Sequence, residues 1–156
     1  FVEEIGKNLA EAGVAFTITK GLRNVPINGA SRWLSPEKAV IQLSIYGKSA
    51  DKFWFSLFHE IGHLLMHSKK EYNIDLKETS NLDLKEAEAN EYAKNILIPK
   101  EEYQKFVSTN SLNSINITNF SKKIGIQSGI VVGRLQFEGR IRYNQMNELK
   151  RSYSWE

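Results

Sequence analysis

The stretch FWFSLFHEIGHLLMH, residues 53–67, determines how the rest of the chain is interpreted. At 3.6 residues per helical turn, its polar side chains fall on one side of a helix that is otherwise large and apolar: Ser56, His59, Glu60, His63 and His67. Such a helix belongs in a protein core, where polar groups without partners are costly. A metal ion is the simplest partner for three imidazoles and a carboxylate in that setting.

Within this stretch, residues 59–63 match the H-E-x-x-H pattern. Histidines at positions i and i+4 project from adjacent turns, so His59 and His63 can both reach one zinc ion. Glu60 then lies beside the ion, where it can accept a proton from a water molecule as a catalytic base. Gly62 suggests the close approach of another backbone. The alternative is a chance match, with both histidines as ordinary core residues.

A third ligand is expected on the next predicted helix. The chain has no cysteine, so the ligand must be His, Asp or Glu. Glu86 and Asn90 fall in the middle of an apolar helical face that includes Ala89 and Ala93. A carboxylate on a core-facing surface needs a partner, which favours Glu86 as the metal ligand and Asn90 as a residue that hydrogen-bonds a ligand from behind. The alternative is that Glu86 forms a salt bridge with a lysine at the rim.

The remaining polar side chains of the two helices are predicted to lie outside the coordination sphere. His67 is about 6 Å further along the helix axis than His63, so it is interpreted as a histidine at the helix end or rim. Glu88, Glu91 and Asn95 are expected to face solvent.

Hydrophobic periodicity indicates an α+β fold with a small, mostly antiparallel sheet followed by helices. The predicted helices cover residues 2–11, 50–68, 83–98, 114–124 and 128–138, with a short one after Pro99. The predicted strands cover residues 14–19, 30–34 and 39–46, and residues 69–81 are expected to form an exposed loop. The length of 156 residues fits a single domain with its own hydrophobic core.

Composition excludes several other classes of protein. The net charge of +3 is too small to argue for nucleic-acid binding by itself. The lack of cysteine suits the cytoplasm, and no apolar run reaches membrane-spanning length. Because the chain begins at Phe1, we expect it to be a fragment of a longer regulator.

Residues 120–138 have the helix–glycine–helix outline of a DNA-reading motif. Ile130, Val131, Leu135 and Phe137 make the second of these helices largely apolar, whereas a recognition helix needs exposed polar side chains. Core packing is therefore the favoured interpretation, and we do not expect this fragment alone to bind DNA.

Residues 56–65, 86–93 and 97–99 resemble the ImmA/IrrE family of metallopeptidase-like proteins. The resemblance implies a zincin-like fold of the gluzincin type, with His59, His63 and Glu86 as zinc ligands and Glu60 as base. Residues 53–55 and 130–136 resemble the branch of the family that is fused to helix-turn-helix regulators.

The resemblance implies that residues 1–156 form a single zinc metallopeptidase-like domain. It also implies a Zn²⁺-dependent metalloendopeptidase that cleaves a transcriptional repressor or an antitoxin-type regulator. The alternative is a non-catalytic, zinc-containing regulatory module that binds a protein partner or DNA. The intact Glu60 favours an enzyme, since a structural site needs no base. An extended substrate is expected along strand 39–46. The candidates for a donor to the oxyanion are Tyr46, Tyr72, Tyr92 and His67.

Overall fold

The structure is a computed structural model, and it describes residues 2–20, 29–45, 49–67, 79–109 and 111–153. These residues contain six α-helices and three β-strands. The helices are α1 (Val2–Glu11), α2 (Ala50–Met66), α3 (Thr79–Leu97), α4 (Lys100–Thr109), α5 (Ser114–Ile124) and α6 (Ser128–Phe137). The strands are β1 (Val14–Lys20), β2 (Gly29–Ser35) and β3 (Lys38–Ile45). The predicted α+β class is confirmed. Helix α3 begins at Thr79, so the loop predicted for residues 69–81 is wrong at its end, and residues 69–78 lie outside the described ranges.

The sheet has the strand order β1-β3-β2. Strand β1 pairs with β3 in parallel, from Val14 opposite Ala39 onward, and β2 pairs with β3 antiparallel, with Gly29 opposite Leu43. The sheet is therefore mixed rather than mostly antiparallel. The prediction that substrate pairs with strand 39–46 is wrong, because β3 is hydrogen-bonded on both sides and has no free edge.

The chain divides into two compact units. Unit 1 contains residues 1–46 and 56–93, and unit 2 contains residues 47–55 and 94–156, so α2 and α3 contribute to both. In unit 1, the inward side chains of the central strand β3, Ala39, Ile41 and Leu43, are almost completely buried. Their alternation with more accessible residues is the period-2 pattern of a strand with one covered face.

Helices α5 and α6 lie in the helical core of unit 2. Helix α6 buries Ile130, Val131, Val132 and Leu135 among the side chains of α4 and α5, which agrees with core packing rather than base reading. Gly125, between the two helices, adopts the left-handed conformation (φ 74°) of a helix C-cap. None of the helices in the described ranges is both long and apolar enough to span a membrane.

A buried polar network joins the helices of unit 2. Arg134 donates to the backbone carbonyls of Lys94 (3.0 Å) and Ile98 (3.1 Å) and to Glu138 (3.0 Å). Tyr103 donates to the other oxygen of Glu138 (2.7 Å). Burial alone would raise the pKa of Glu138, but the hydrogen bonds from Tyr103 and Arg134 and the charge of Arg134 lower it. Arg134 is thus committed to internal contacts.

Candidate metal centre

Three side chains of unit 1 converge on one point between α2 and α3. The Nε2 atoms of His59 and His63 are 3.0 Å apart. One oxygen of Glu86 lies 3.3 Å from His59 Nε2 and the other lies 3.1 Å from His63 Nε2. All three ligand atoms lie within 4.8 Å of one another, so His59, His63 and Glu86 can hold a metal ion.

The geometry fits a zinc ion. Nitrogen and oxygen ligands about 2.0–2.2 Å from one tetrahedral zinc ion are themselves about 3.3–3.5 Å apart. The two imidazole nitrogens are 3.0 Å apart, and each lies 3.1–3.3 Å from a different oxygen of Glu86, so the nearest donor pairs are within a few tenths of an ångström of that range. In the part of the chain that the structure describes, the group supplies three protein ligands, whereas structural zinc sites usually have four.

Each histidine of the group has a hydrogen-bond partner on its other ring nitrogen. His59 Nδ1 lies 3.0 Å from Asn90 Oδ1, the position predicted for Asn90 from the helical wheel. His63 Nδ1 lies 2.9 Å from Nδ1 of His67, whose Nε2 lies 3.1 Å from Glu88 Oε2. Outer partners of this kind fix the tautomer and the orientation of metal-binding histidines.

The prediction that Glu88 faces solvent is wrong in part, because one of its oxygens contacts His67. His67 is not part of the group of three side chains that could hold a metal ion, but it contacts His63 of that group rather than lying free at the rim. The sequence does contain a signal for this contact, since His67 follows His63 by four residues and i,i+4 side chains are neighbours on a helix. The contact with Glu88 depends on the packing of α3 and has no such signal.

A close approach of α2 and α3 brings Glu86 within reach of the histidines. A Cβ atom on Gly62 would lie 3.3 Å from Ala89 Cα and 3.1 Å from a ring carbon of Tyr92. Ala89 and Ala93 are completely buried. Small residues on both helices permit this approach, as the sequence predicts for Gly62 and the two alanines.

Strand β2 supports the opposite side of α2 at Glu60. Alternate residues of a strand face the same way, and Ser31 and Trp33 of β2 both face α2. The Ser31 hydroxyl donates to the backbone carbonyl of Glu60 (3.1 Å), and the Trp33 indole donates to the backbone carbonyl of Leu64 (3.2 Å). At Gly29, a Cβ atom would lie only 2.8 Å from Glu60 Oε1. The Glu60 side chain therefore occupies space that only a glycine leaves open.

The local environment shifts the pKa of two of these groups. Burial raises the pKa of Glu60 above its ordinary 4.5, against the lowering effects of the Ser31 hydrogen bond and the His59 charge. Burial and then His59 lower the pKa of His63, while Glu86 opposes them. A raised carboxyl pKa suits a group that takes up and releases a proton, and a lowered imidazole pKa keeps the neutral, metal-binding form.

The predicted oxyanion donors are in different situations. Tyr46 and Tyr72 lie outside the described residues. The Tyr92 ring packs beside Gly62. His67 is engaged by His63 and Glu88.

Comparison with known families agrees with this site. A search among curated proteins found no significant match. A family model described as Peptidase_M78, the IrrE N-terminal-like domain, matches residues 24–123, which is well over half of the 156 residues and includes His59, Glu60, His63 and Glu86. The resemblance stated from the sequence is thereby confirmed at the level of the family. The chain belongs to the Peptidase_M78 family of IrrE N-terminal-like domains.

Proposed function

We propose that this protein is a zinc-dependent metalloendopeptidase. The observation that carries the proposal is the convergence of His59, His63 and Glu86 within 4.8 Å, next to the buried carboxyl group of Glu60. Membership of a peptidase family supports the same reaction class. A structural site would need ligands but no adjacent carboxylate, and a buried carboxylate without a role is costly.

In the proposed centre, His59, His63 and Glu86 hold the ion, and Asn90 and His67 hold the outer nitrogens of the two imidazoles. The bound zinc supplies Lewis-acid activation of water and of the peptide carbonyl near neutral pH. Asn90 Oδ1 accepts a hydrogen bond from the Nδ1–H of His59, so that the lone pair on Nε2 points to the ion.

Glu60 is the proposed base. It accepts the proton of the attacking water on a carboxylate oxygen and then delivers that proton to the nitrogen of the leaving amine. Burial and the raised pKa of Glu60 bring the two protonation states closer together in energy at neutral pH, as both steps require. Ser31 of β2 holds the backbone carbonyl of Glu60, and Gly29 leaves open the space that the Glu60 side chain occupies.

The substrate is proposed to bind along β2, in place of the strand expected from the sequence. Strand β2 is an edge of the described sheet, since it pairs with β3 alone. Its Gly29 and Ser31 adjoin Glu60, so a peptide added to the outer edge of β2 would pass the proposed site. An open edge accepts the middle of a polypeptide, which favours an endopeptidase.

The proposed substrate class is a protein regulator, a transcriptional repressor or an antitoxin, acting in the cytoplasm. The family resemblance supports this class. Fusion to a helix-turn-helix domain stays a prediction, because the family match ends at residue 123 and residues 130–136 lie beyond it. That residues 1–156 form one metallopeptidase-like domain also stays a prediction.

The test compares wild type, Glu60→Gln and Glu101→Gln, the last being the same change at an exposed glutamate on α4. Each protein is loaded with Zn²⁺ and incubated with the repressor or antitoxin encoded next to it. Products are identified by mass spectrometry. We expect cleavage by wild type and Glu101→Gln, with a loss of about 10²–10⁴-fold in Glu60→Gln and unchanged zinc content.

Two results would contradict the proposal. Equal cleavage by Glu60→Gln would remove Glu60 from the reaction. Stoichiometric zinc without cleavage of any candidate would instead assign the non-catalytic regulatory module.

A further inference from the structure

The two histidines of the proposed centre differ in what lies behind them. His59 has a neutral amide, Asn90 Oδ1, at 3.0 Å. His63 has a second imidazole, His67 Nδ1, at 2.9 Å, and behind that imidazole a carboxylate oxygen of Glu88 at 3.1 Å. The partner of His59 is therefore a neutral dipole. His63 is instead connected through two hydrogen bonds to the negative charge of Glu88.

The positions of the protons follow from the chemistry of the atoms. His63 Nε2 faces Glu86 and His59, so in the metal-bound state its lone pair is used there and its proton must be on Nδ1. That N–H donates to His67 Nδ1, which must therefore be unprotonated. The His67 proton is then on Nε2, and it donates to Glu88. Each hydrogen bond from His63 to His67 and from His67 to Glu88 therefore has one donor and one acceptor.

We propose that His67 and Glu88 are positioning residues for the metal centre, which set the tautomer and ring orientation of His63 and strengthen its binding to the ion. This inference rests on the proposed zinc site. Glu88 fixes His67 as an Nε2–H tautomer, and His67 in turn fixes His63 as an Nδ1–H tautomer. The carboxylate at the end of the series polarises both hydrogen bonds toward His63, which makes this ring a stronger donor to the ion than the same ring would be without these partners.

A surface ion pair would be the simpler reading of the His67–Glu88 contact. The side chain of Glu88 is 49% exposed, so such a pair would contribute little to stability. The His67 side chain is only 11% exposed, however, and it is held between the Glu88 carboxylate and the ligand His63. The two readings differ in one measurable respect, because only the positioning role predicts an effect on metal affinity.

The experiment measures zinc affinity of the full chain by competition with a chromophoric chelator. The variants are His67→Phe, Glu88→Ala and Glu88→Gln, with Asp83→Asn as a control that removes one negative charge from an exposed position on α3. We expect His67→Phe and Glu88→Ala to weaken zinc binding by about 10–100-fold, the usual effect of removing an outer partner. Glu88→Gln keeps an oxygen that can accept from His67, so its loss should be smaller, and Asp83→Asn should bind like wild type.

Two spectroscopic measurements separate positioning from a general loss of structure. The visible absorption of the Co²⁺-loaded protein reports ligand geometry, and we expect it to change in His67→Phe and Glu88→Ala but not in Asp83→Asn. Nitrogen-15 NMR of the zinc-loaded wild type should show the Nδ1–H tautomer for His63 and the Nε2–H tautomer for His67. Glu88→Ala keeps the inference testable if His67→Phe does not fold, because alanine suits an exposed helix position.

Failure of this inference can be distinguished from failure of the proposed function. Zinc binding by wild type, with unchanged affinity and Co²⁺ spectrum in His67→Phe and Glu88→Ala, would overturn the positioning role and leave the proposed peptidase intact. Failure of wild type to bind zinc would overturn both. Weakened binding in these two variants, with partial retention in Glu88→Gln, would establish the positioning role whether or not a substrate has been found.

Discussion

Replacing Gly29 by alanine tests how β2 supports the proposed base. The added Cβ would lie 2.8 Å from Oε1 and 3.0 Å from Cγ of Glu60, and 2.9 Å from a methyl carbon of Leu43. The 2.8 Å separation is 0.6 Å short of the 3.4 Å at which ordinary contact begins. The carboxylate is the free end of a flexible side chain and can rotate away, whereas Leu43 is almost completely buried and cannot do so easily. The substitution should therefore displace the carboxylate of Glu60 while leaving the residue itself unchanged.

The expected magnitudes follow from this geometry. A misplacement of about 1 Å in a catalytic group costs on the order of 10²-fold in rate, so a shift of at least 0.6 Å should lower kcat/KM by roughly 10–100-fold. Crowding of Leu43 should destabilise the fold by about 1–3 kcal/mol. Zinc affinity should stay at the wild-type value, because the three atoms nearest to the Cβ belong to Glu60 and Leu43 and not to a proposed ligand.

The assay uses a fluorogenic peptide built around the cleavage site found with the protein substrate. Gly6→Ala in α1 is the matched control, because a Cβ atom there has nothing within 4 Å. Zinc content and thermal unfolding are measured for both variants. A folded, zinc-loaded Gly29→Ala protein with the wild-type kcat/KM would refute the reasoning, since it would mean either that Glu60 is not the base or that β2 does not position it.

Three further predictions concern stability. The pKa of Glu138 is lowered in the folded state, so its stabilising effect should be fully present above about pH 4.5 and lost as the pH falls through the folded-state pKa. The difference in Tm between wild type and Glu138→Gln should therefore shrink over that acid range. Asp51 is buried and lies 2.8 Å from Lys150 Nζ. In a urea titration, Asp51→Ala should therefore lower the free energy of unfolding by about 3–5 kcal/mol. The control Lys52→Met, at the exposed neighbouring position, should have little effect. Removing zinc with a chelator should lower Tm, with a loss of about 2.7 kcal/mol relative to protein at 100 Kd of free metal, and His63→Ala should show no such dependence in calorimetry.

Contacts within one helix could be predicted from the sequence, because helical geometry relates residues three and four apart without reference to the rest of the chain. The approach of His59 to His63 is of this kind. The wheel of α3 places Glu86 and Asn90 on its apolar face for the same reason, and the structure brings both to the histidines. The error at Asn95, which was expected to face solvent but has a buried Oδ1, shows the limit of a wheel that has no information about the neighbouring helices.

Strand order could not be predicted from alternation of apolar residues. The pattern in β3 indicates a strand with one buried face, but the same pattern suits an edge or a central strand. Only the pairing of β3 with both β1 and β2 shows that the open edge near Glu60 belongs to β2. The parallel pairing of β1 with β3 joins residues far apart in the chain, such as Val14 and Ala39, and local periodicity carries no information about it.

By itself, the sequence determined the α+β class, the H-E-x-x-H helix and the candidate ligands, since each of these depends on local spacing and residue type. Only the tertiary structure decided what surrounds them: Gly29 and Ser31 against Glu60, and Glu88 behind His67. The physical reason is that hydrogen bonds between side chains of separate elements depend on how those elements pack, to within a few tenths of an ångström.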